Sequence, residues 1–147
     1  MERDDVISTL NDLIETSRDG EEGFRQCADT VKNPNLKAFF EQKSERCHEA
    51  VVQLRQIVRE MGGNPETSSS MSGTVHRFWV SLRSSISGMS DHAILDECER
   101  GEDVAKRSYE KALAQDLPGD VKRVIERQYA EVKANHDKVR AMRNATA

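Results

Sequence analysis

The fold of this chain is decided by one stretch, VISTLNDLIETSRDGEEGFRQCADTVKNPNL (residues 6–36). Apolar and small residues recur in it at alternating spacings of four and three, at Val6, Leu10, Leu13, Ser17, Gly20, Phe24, Cys27 and Val31. That spacing predicts a long helix that packs against its neighbours at a shallow angle. Asn33-Pro34 then predicts the start of a second helix, because Asn is a favoured N-cap and Pro fits the first helical position. The first two helices are therefore expected to form a tight hairpin.

Similar patterns predict the organisation of the remaining chain. Gly62-Gly63 ends the second helix, and a loop over 62–74, rich in Gly, Ser and Thr, leads to a short amphipathic helix. A second tight turn at residues 116–118 joins the last two helices. The helices are expected at about 4–32, 34–61, 74–87, 91–115 and 118–143. Two tight hairpins and one long connection predict an all-α fold: a ferritin-like antiparallel four-helix bundle with a long crossover carrying a short fifth helix.

Length, charge and cysteine content limit the functions to consider. The 147 residues are expected to form a single domain, 1–147. Acidic and basic residues are interspersed along the chain, which has a net charge of −4. Because the sequence has no basic stripe, a nucleic-acid partner is not expected. No signal peptide is expected from this sequence, and it has no apolar run long enough to span a bilayer. Three cysteines without a CxxC pair argue against a disulfide framework. We therefore expect a cytoplasmic protein that binds no membrane.

Bundles of this topology can hold two metal ions on inward side chains, and the sequence offers part of the required set. The usual ligands are one Glu from each of two helices and a Glu-x-x-His from each of the other two. Glu45 and His48 match the letters of that motif. At 100° per residue, however, Glu45 faces water and His48 lies at the flank of the apolar face. We therefore reject them as an inward ligand pair.

Glu21 and Glu102 are the better candidates, because both lie close to the centre of an apolar helix face. Each follows a glycine, and a gapless superposition of the first and third long helices aligns them, which suggests an internal duplication. The metal hypothesis makes them bridging ligands of iron, manganese or zinc, with His136 or His48 as peripheral ligands. The expected set is incomplete on the second and fourth long helices.

The same two carboxylates have a structural interpretation as well. An ionised carboxylate inside a bundle needs compensation, and hydrogen bonds from polar residues on the other seams would fix the helix register. These residues are Lys43, Gln128 and Asn135. A third option is a carrier of an apolar ligand, because Ser17, Gly20 and Gly101 leave room in the middle of the bundle.

The short crossover helix carries an aromatic pair, Phe78-Trp79. These rings are expected to cap the bundle or to meet a second copy of the chain. An intact scaffold with an incomplete ligand set favours a non-enzymatic protein that acts through association, as a homo-oligomer or with a protein partner. Binding or oxidation of metal in the core is the alternative.

Four ordered segments resemble a known family. They are LNDLIETSRDGEEGF (10–24), GGNPETS (62–68) followed by HRFW (76–79), ECERGED (97–103) and HDKVRAMR (136–143). The chain is similar to the bacterial family catalogued as domain of unknown function 2383, which is described as ferritin-like four-helix-bundle proteins. The resemblance implies this fold and no established activity. The wider ferritin-like superfamily implies a di-iron centre, and related small bundles are associated with stress responses.

Overall fold

A computed structural model describes residues 2–65 and 73–146. They form α1 (Arg3–Thr30), α2 (Pro34–Glu60), α3 (Gly73–Ser85), a 3-10 turn (Ile86–Gly88), α4 (Asp91–Leu113) and α5 (Gly119–Ala145). These residues include no strand, so the predicted all-α class is confirmed. The helix predicted over 74–87 ends earlier, at Ser85, because the backbone tightens into the 3-10 turn. Of the loop predicted over 62–74, residues 66–72 lie outside the described part.

Local chemistry sets both ends of α2. The Asn33 side-chain oxygen accepts two backbone N–H groups of the first turn, at 2.8 and 3.4 Å, and Pro34 is the first helical residue. At the other end Gly62 has a φ of +81°, a left-handed conformation that favours glycine. This turn lets the N–H of Gly63 donate to the carbonyl oxygen of Val58 at 2.9 Å, as in a Schellman cap.

The long helices meet in antiparallel pairs, since contacting residues run in opposite order along each pair. The contacts are Arg3–Met61 and Glu21–Ser44 for α1 with α2, Thr9–Gln115 and Cys27–Cys98 for α1 with α4, and Glu110–Tyr129 and Asp103–His136 for α4 with α5. Because α2 and α4 both oppose α1, they point the same way. The connection that carries α3 therefore returns along the length of α1.

Trp79 holds α3 between α1 and α4. Its side chain is buried, and a Cβ atom added to Gly23 of α1 would lie only 2.1 Å from its ring. Gly101 of α4 gives the ring similar room, at 3.0 Å. His76 adds a polar tether, with Nδ1 placed 2.9 Å from Asp19 Oδ1. Of the two expectations for this aromatic pair, packing of Trp79 on its own bundle agrees with the structure. Contact of this ring with a second copy is wrong, because the ring is enclosed by its own chain.

Buried apolar residues form two clusters at different levels of the long helices. One cluster includes Phe40, Trp79 and Ile94, and the other includes Leu13 and Leu54. The helix segments between these clusters carry the polar residues that were candidates for a site. None of the described helices has the length and hydropathy needed to cross a membrane.

Candidate functional site

A cavity of about 60 Å³ lies between the two apolar clusters. All five helices contribute to its wall, through residues that include Gly20, Cys47, Trp79, Glu102 and Gln128. A site for one ordered water needs roughly 10–15 Å³, so the space can hold water. The cavity therefore suits a small ligand, and its chemistry depends on the few polar groups in its wall.

Glu102 is a buried carboxyl group of this wall, with an exposed fraction of 4%. Among the residues that the structure describes, none forms a hydrogen bond or an ion pair with its carboxyl group. Burial raises the pKa of Glu102 to about 8, more than the nearby positive charge of Lys43 lowers it, and Asp103 raises it further. At pH 7 the group is therefore mostly a neutral carboxylic acid.

Cys47 and Lys43 of α2 share this environment. The Cys47 sulfur faces α1, 3.1 Å from the position that a Cβ atom on Gly20 would take. Burial raises the pKa of the Cys47 thiol, and the negative charges of Glu102 and Glu21 add to the effect. Burial also lowers the pKa of Lys43, against the opposing influence of Glu102. Burial thus disfavours the charged form of all three groups at this level.

A hydrogen-bond network closes one side of the cavity. The Tyr109 hydroxyl donates to Gln128 Oε1 at 2.9 Å, and Ser17 Oγ lies 3.4 Å from the same hydroxyl. Gln128 Nε2 in turn donates to Gln53 Oε1 at 3.0 Å. Burial raises the pKa of Tyr109, so this hydroxyl keeps its proton. The network joins α1, α2, α4 and α5.

An ion pair lies where the cavity approaches the surface. Arg46 Nη2 of α2 is 3.0 Å from Glu131 Oε1 of α5, and both side chains are about half exposed, at 47% and 46%. Both residues also belong to the cavity wall. Because such a pair is solvated, it can separate at little cost.

The sequence of this chain matches the model of a protein family described as Domain of unknown function (DUF2383), over residues 5–115. The chain belongs to the DUF2383 family. This confirms the resemblance inferred from its four ordered segments. None of the curated proteins matches the chain. The matched region includes Glu21, His48 and Glu102 but ends before His136.

In this DUF2383 chain two of the four predicted ligands, Glu21 and His48, lie close together outside the cavity. Glu21 Oε1 lies 3.2 Å from His48 Nδ1, and its Oε2 lies 3.0 Å from the guanidinium of Arg25. The side chain of Glu21 is 17% exposed and that of His48 is 61% exposed. Glu21 and Glu102 therefore have different surroundings, although both follow a glycine at the same phase of a helix.

His136, predicted at the flank of the last helix, is instead buried, with an exposed fraction of 3%. Its Nε2 is 2.7 Å from Asp103 Oδ1 on α4, and Asp137 lies 3.5 Å from its Nδ1. His136 lies four positions after Val132, which packs against the core, and three before the buried Val139, so it belongs to the buried face of α5.

The four predicted ligands thus separate into Glu21 with His48, Glu102 in the cavity, and His136 with Asp103. Within residues 2–65 and 73–146, no three His, Cys, Asp or Glu side chains are grouped so that they could hold a metal ion. The described residues therefore do not fit the dinuclear carboxylate centre that the ferritin-like superfamily implies, because its bridging pair is divided between two environments.

Two features of the site were missed by sequence reasoning. The wall formed by Trp79 was not predicted, although glycines at positions 23 and 101 on two buried helix faces were a signal for a bulky side chain above them. The Arg46–Glu131 pair gave no signal, because 85 positions separate two residues in a chain rich in both types.

Proposed function

We propose that this DUF2383 chain is a ferritin-like four-helix bundle that binds one small cation, a transition-metal ion, in the cavity beside Glu102. The antiparallel helix pairs and the return of the chain along α1 support the bundle topology. The three free cysteines favour a reducing compartment, so a cytoplasmic location belongs to the same proposal. The proposal assigns binding and no reaction.

The observation that carries this proposal is the carboxyl group of Glu102. Native proteins satisfy nearly all of their buried polar groups, and an isolated buried carboxylate is costly. A cation beside Glu102 would compensate the ionised form. The volume of about 60 Å³ leaves room for an ion with one or two waters.

Residues already in the wall would hold the ion. Glu102 would supply an oxygen ligand and Cys47 a sulfur ligand, and water in the cavity would complete the coordination, since no third His, Cys, Asp or Glu of the described residues is grouped with them. A thiolate together with a carboxylate favours Zn²⁺ over Mg²⁺ or Ca²⁺. Ligands must lose their protons before they bind a metal, so the affinity is expected to increase with pH.

The test is a competition titration of the folded protein with Zn²⁺ and a chromophoric chelator at pH 7.5. We expect one equivalent to bind and Glu102→Gln to weaken binding by at least about tenfold, because even indirect partners of metal ligands contribute that much. Glu21→Gln is the matched control, since it removes the corresponding carboxylate outside the cavity, and it should leave the affinity within about twofold. Equal losses in the two variants, or no binding by the wild type, would contradict the proposal.

Association with a second copy or with another protein remains a prediction from the sequence. Trp79 is enclosed by its own chain, so it does not support that prediction. Among the described residues, the large apolar side chains that are most exposed are Val52 on α2 and Val80 on α3. A partner surface would have to include residues of this kind.

A further inference from the structure

Two cysteine side chains meet in the apolar cluster that includes Phe40, Trp79 and Ile94. Cys27 of α1 and Cys98 of α4 have their sulfur atoms 3.4 Å apart. Both residues are fully buried, with an exposed fraction of 0%. They are 71 positions apart in the chain, so only the packing of α1 against α4 brings them together. The third cysteine, Cys47, belongs to the cavity wall instead.

We propose that Cys27 and Cys98 form a dithiol site that a hydroperoxide such as hydrogen peroxide oxidises to a disulfide between α1 and α4. The two sulfurs are already in contact, and a disulfide requires them to approach to about 2.05 Å. The helices would have to shift by little more than one ångström. This inference does not depend on cation binding at Glu102.

The reaction balances with one peroxide for each pair of thiols. With hydrogen peroxide, one of the two sulfurs, as a thiolate, attacks a peroxide oxygen, the O–O bond breaks, and the leaving hydroxide takes up a proton to form water. The resulting sulfenic acid is then attacked by the sulfur of the other cysteine. The S–S bond forms, the S–O bond breaks, and the second oxygen leaves as water with the proton of that cysteine. The two thiols lose two electrons and two protons, and hydrogen peroxide is reduced to two waters.

The contact between the thiols affects their reactivity. The hydrogen bond to Cys27, followed by burial, raises the pKa of the Cys98 thiol. Either thiol can donate the hydrogen bond between them, so either sulfur can make the first attack. Since the thiolate is the reactive form and both groups are buried, oxidation should be slow near neutral pH and faster at higher pH.

The cross-link would join the two helical hairpins near one end of the molecule. At that end, both carboxylate oxygens of Asp91 accept backbone N–H groups, from Lys32 at 2.9 Å and from Asn33 at 3.0 Å. A disulfide that closes a long stretch of chain restricts the unfolded state. Oxidation should therefore raise the Tm by several degrees, and a dithiol reductant should reverse the rise.

The experiment treats the folded protein with hydrogen peroxide, blocks the remaining thiols under denaturing conditions and maps the peptides by mass spectrometry. We expect the number of free thiols to fall from three to one, with Cys27 joined to Cys98 and Cys47 left free. The same oxidation of the unfolded protein should give a mixture of pairings.

Three outcomes would overturn the inference. They are retention of all three thiols by the folded protein, a mapped disulfide that includes Cys47, and the same mixture of pairings from folded and unfolded protein. Peptide mapping of the wild type decides between them without any substitution at a buried cysteine. A Cys98→Ala variant that folds should give oxidised Cys27 without an internal cross-link.

Discussion

Between pH 5 and pH 9, the contribution of Glu102 to the free energy of unfolding of the wild-type protein is expected to fall by about 4 kcal/mol. In the Glu102→Gln variant, the contribution of this position should stay nearly constant over the same range. The reason is the pKa of Glu102, which burial raises from an ordinary 4.5 to about 8 in the folded protein. Folded protein therefore holds this proton at pH values where the unfolded chain has released it.

The sign of the effect follows from proton linkage. Between about pH 4.5 and pH 8 the folded state binds more protons at Glu102 than the unfolded state does. The free energy of unfolding therefore decreases as pH rises through this window and becomes constant, for this group, above it. The burial of Asp12, whose pKa is raised to about 6, adds a smaller slope of the same sign in both proteins. The difference between wild type and variant isolates Glu102.

The measurement is urea unfolding at equilibrium, monitored by circular dichroism from pH 5 to pH 9. Glu21→Gln is the matched control, because Glu21 is partly exposed and bonded to Arg25 and His48. It should keep the wild-type dependence on pH. Parallel curves for wild type and Glu102→Gln would show that Glu102 is ionised in the folded protein and would contradict its assigned burial.

The second large effect concerns Gly23 and Trp79. Alanine is the better helix former by about 1 kcal/mol, yet Gly23→Ala is expected to destabilise the protein by about 1–3 kcal/mol. The added Cβ atom would lie 2.1 Å from the indole ring, so α1 and α3 would have to separate. Trp79→Ala alone should cost about 3–5 kcal/mol, because it empties the space between α1 and α4.

A double-mutant cycle tests this contact directly. With Trp79 already replaced by alanine, Gly23→Ala should have no cost or should stabilise the protein slightly, since its clash is gone. Gly119→Ala is the control, because the added Cβ atom would have room there. Its nearest neighbour would be the flexible end of Arg123, 3.6 Å away. The free energy of unfolding of each variant is measured by urea unfolding. If Gly23→Ala lowers it no more than Gly119→Ala does, Trp79 is not packed against Gly23.

The ends of α2 were predictable because their signals are local. Asn33 and Pro34 carry the cap and the first turn in their own side chains, and Gly62 adopts a backbone conformation that few other residues take. No knowledge of distant residues was needed. The apolar spacing of α1 likewise fixed which of its faces is buried.

The site was only partly predictable because it depends on neighbours from other helices. Helix phase correctly predicted that Glu102 points inward, since it is buried. The same phase failed to describe the carboxylate of Glu21. Arg25, one turn along α1, and His48 on α2 hold that carboxylate at the edge of the helix pair. Such a difference between two similar sequence positions arises from tertiary packing, which spacing within one helix does not report.

The most direct test of the central claim is an NMR titration of the Glu102 side-chain carboxyl carbon in ¹³C-labelled protein, assigned by comparison with Glu102→Gln. The account predicts a midpoint near pH 8 without metal and a lower midpoint when Zn²⁺ is added. A midpoint near 4.5 that Zn²⁺ does not change would contradict both the buried acid and its role in binding a cation.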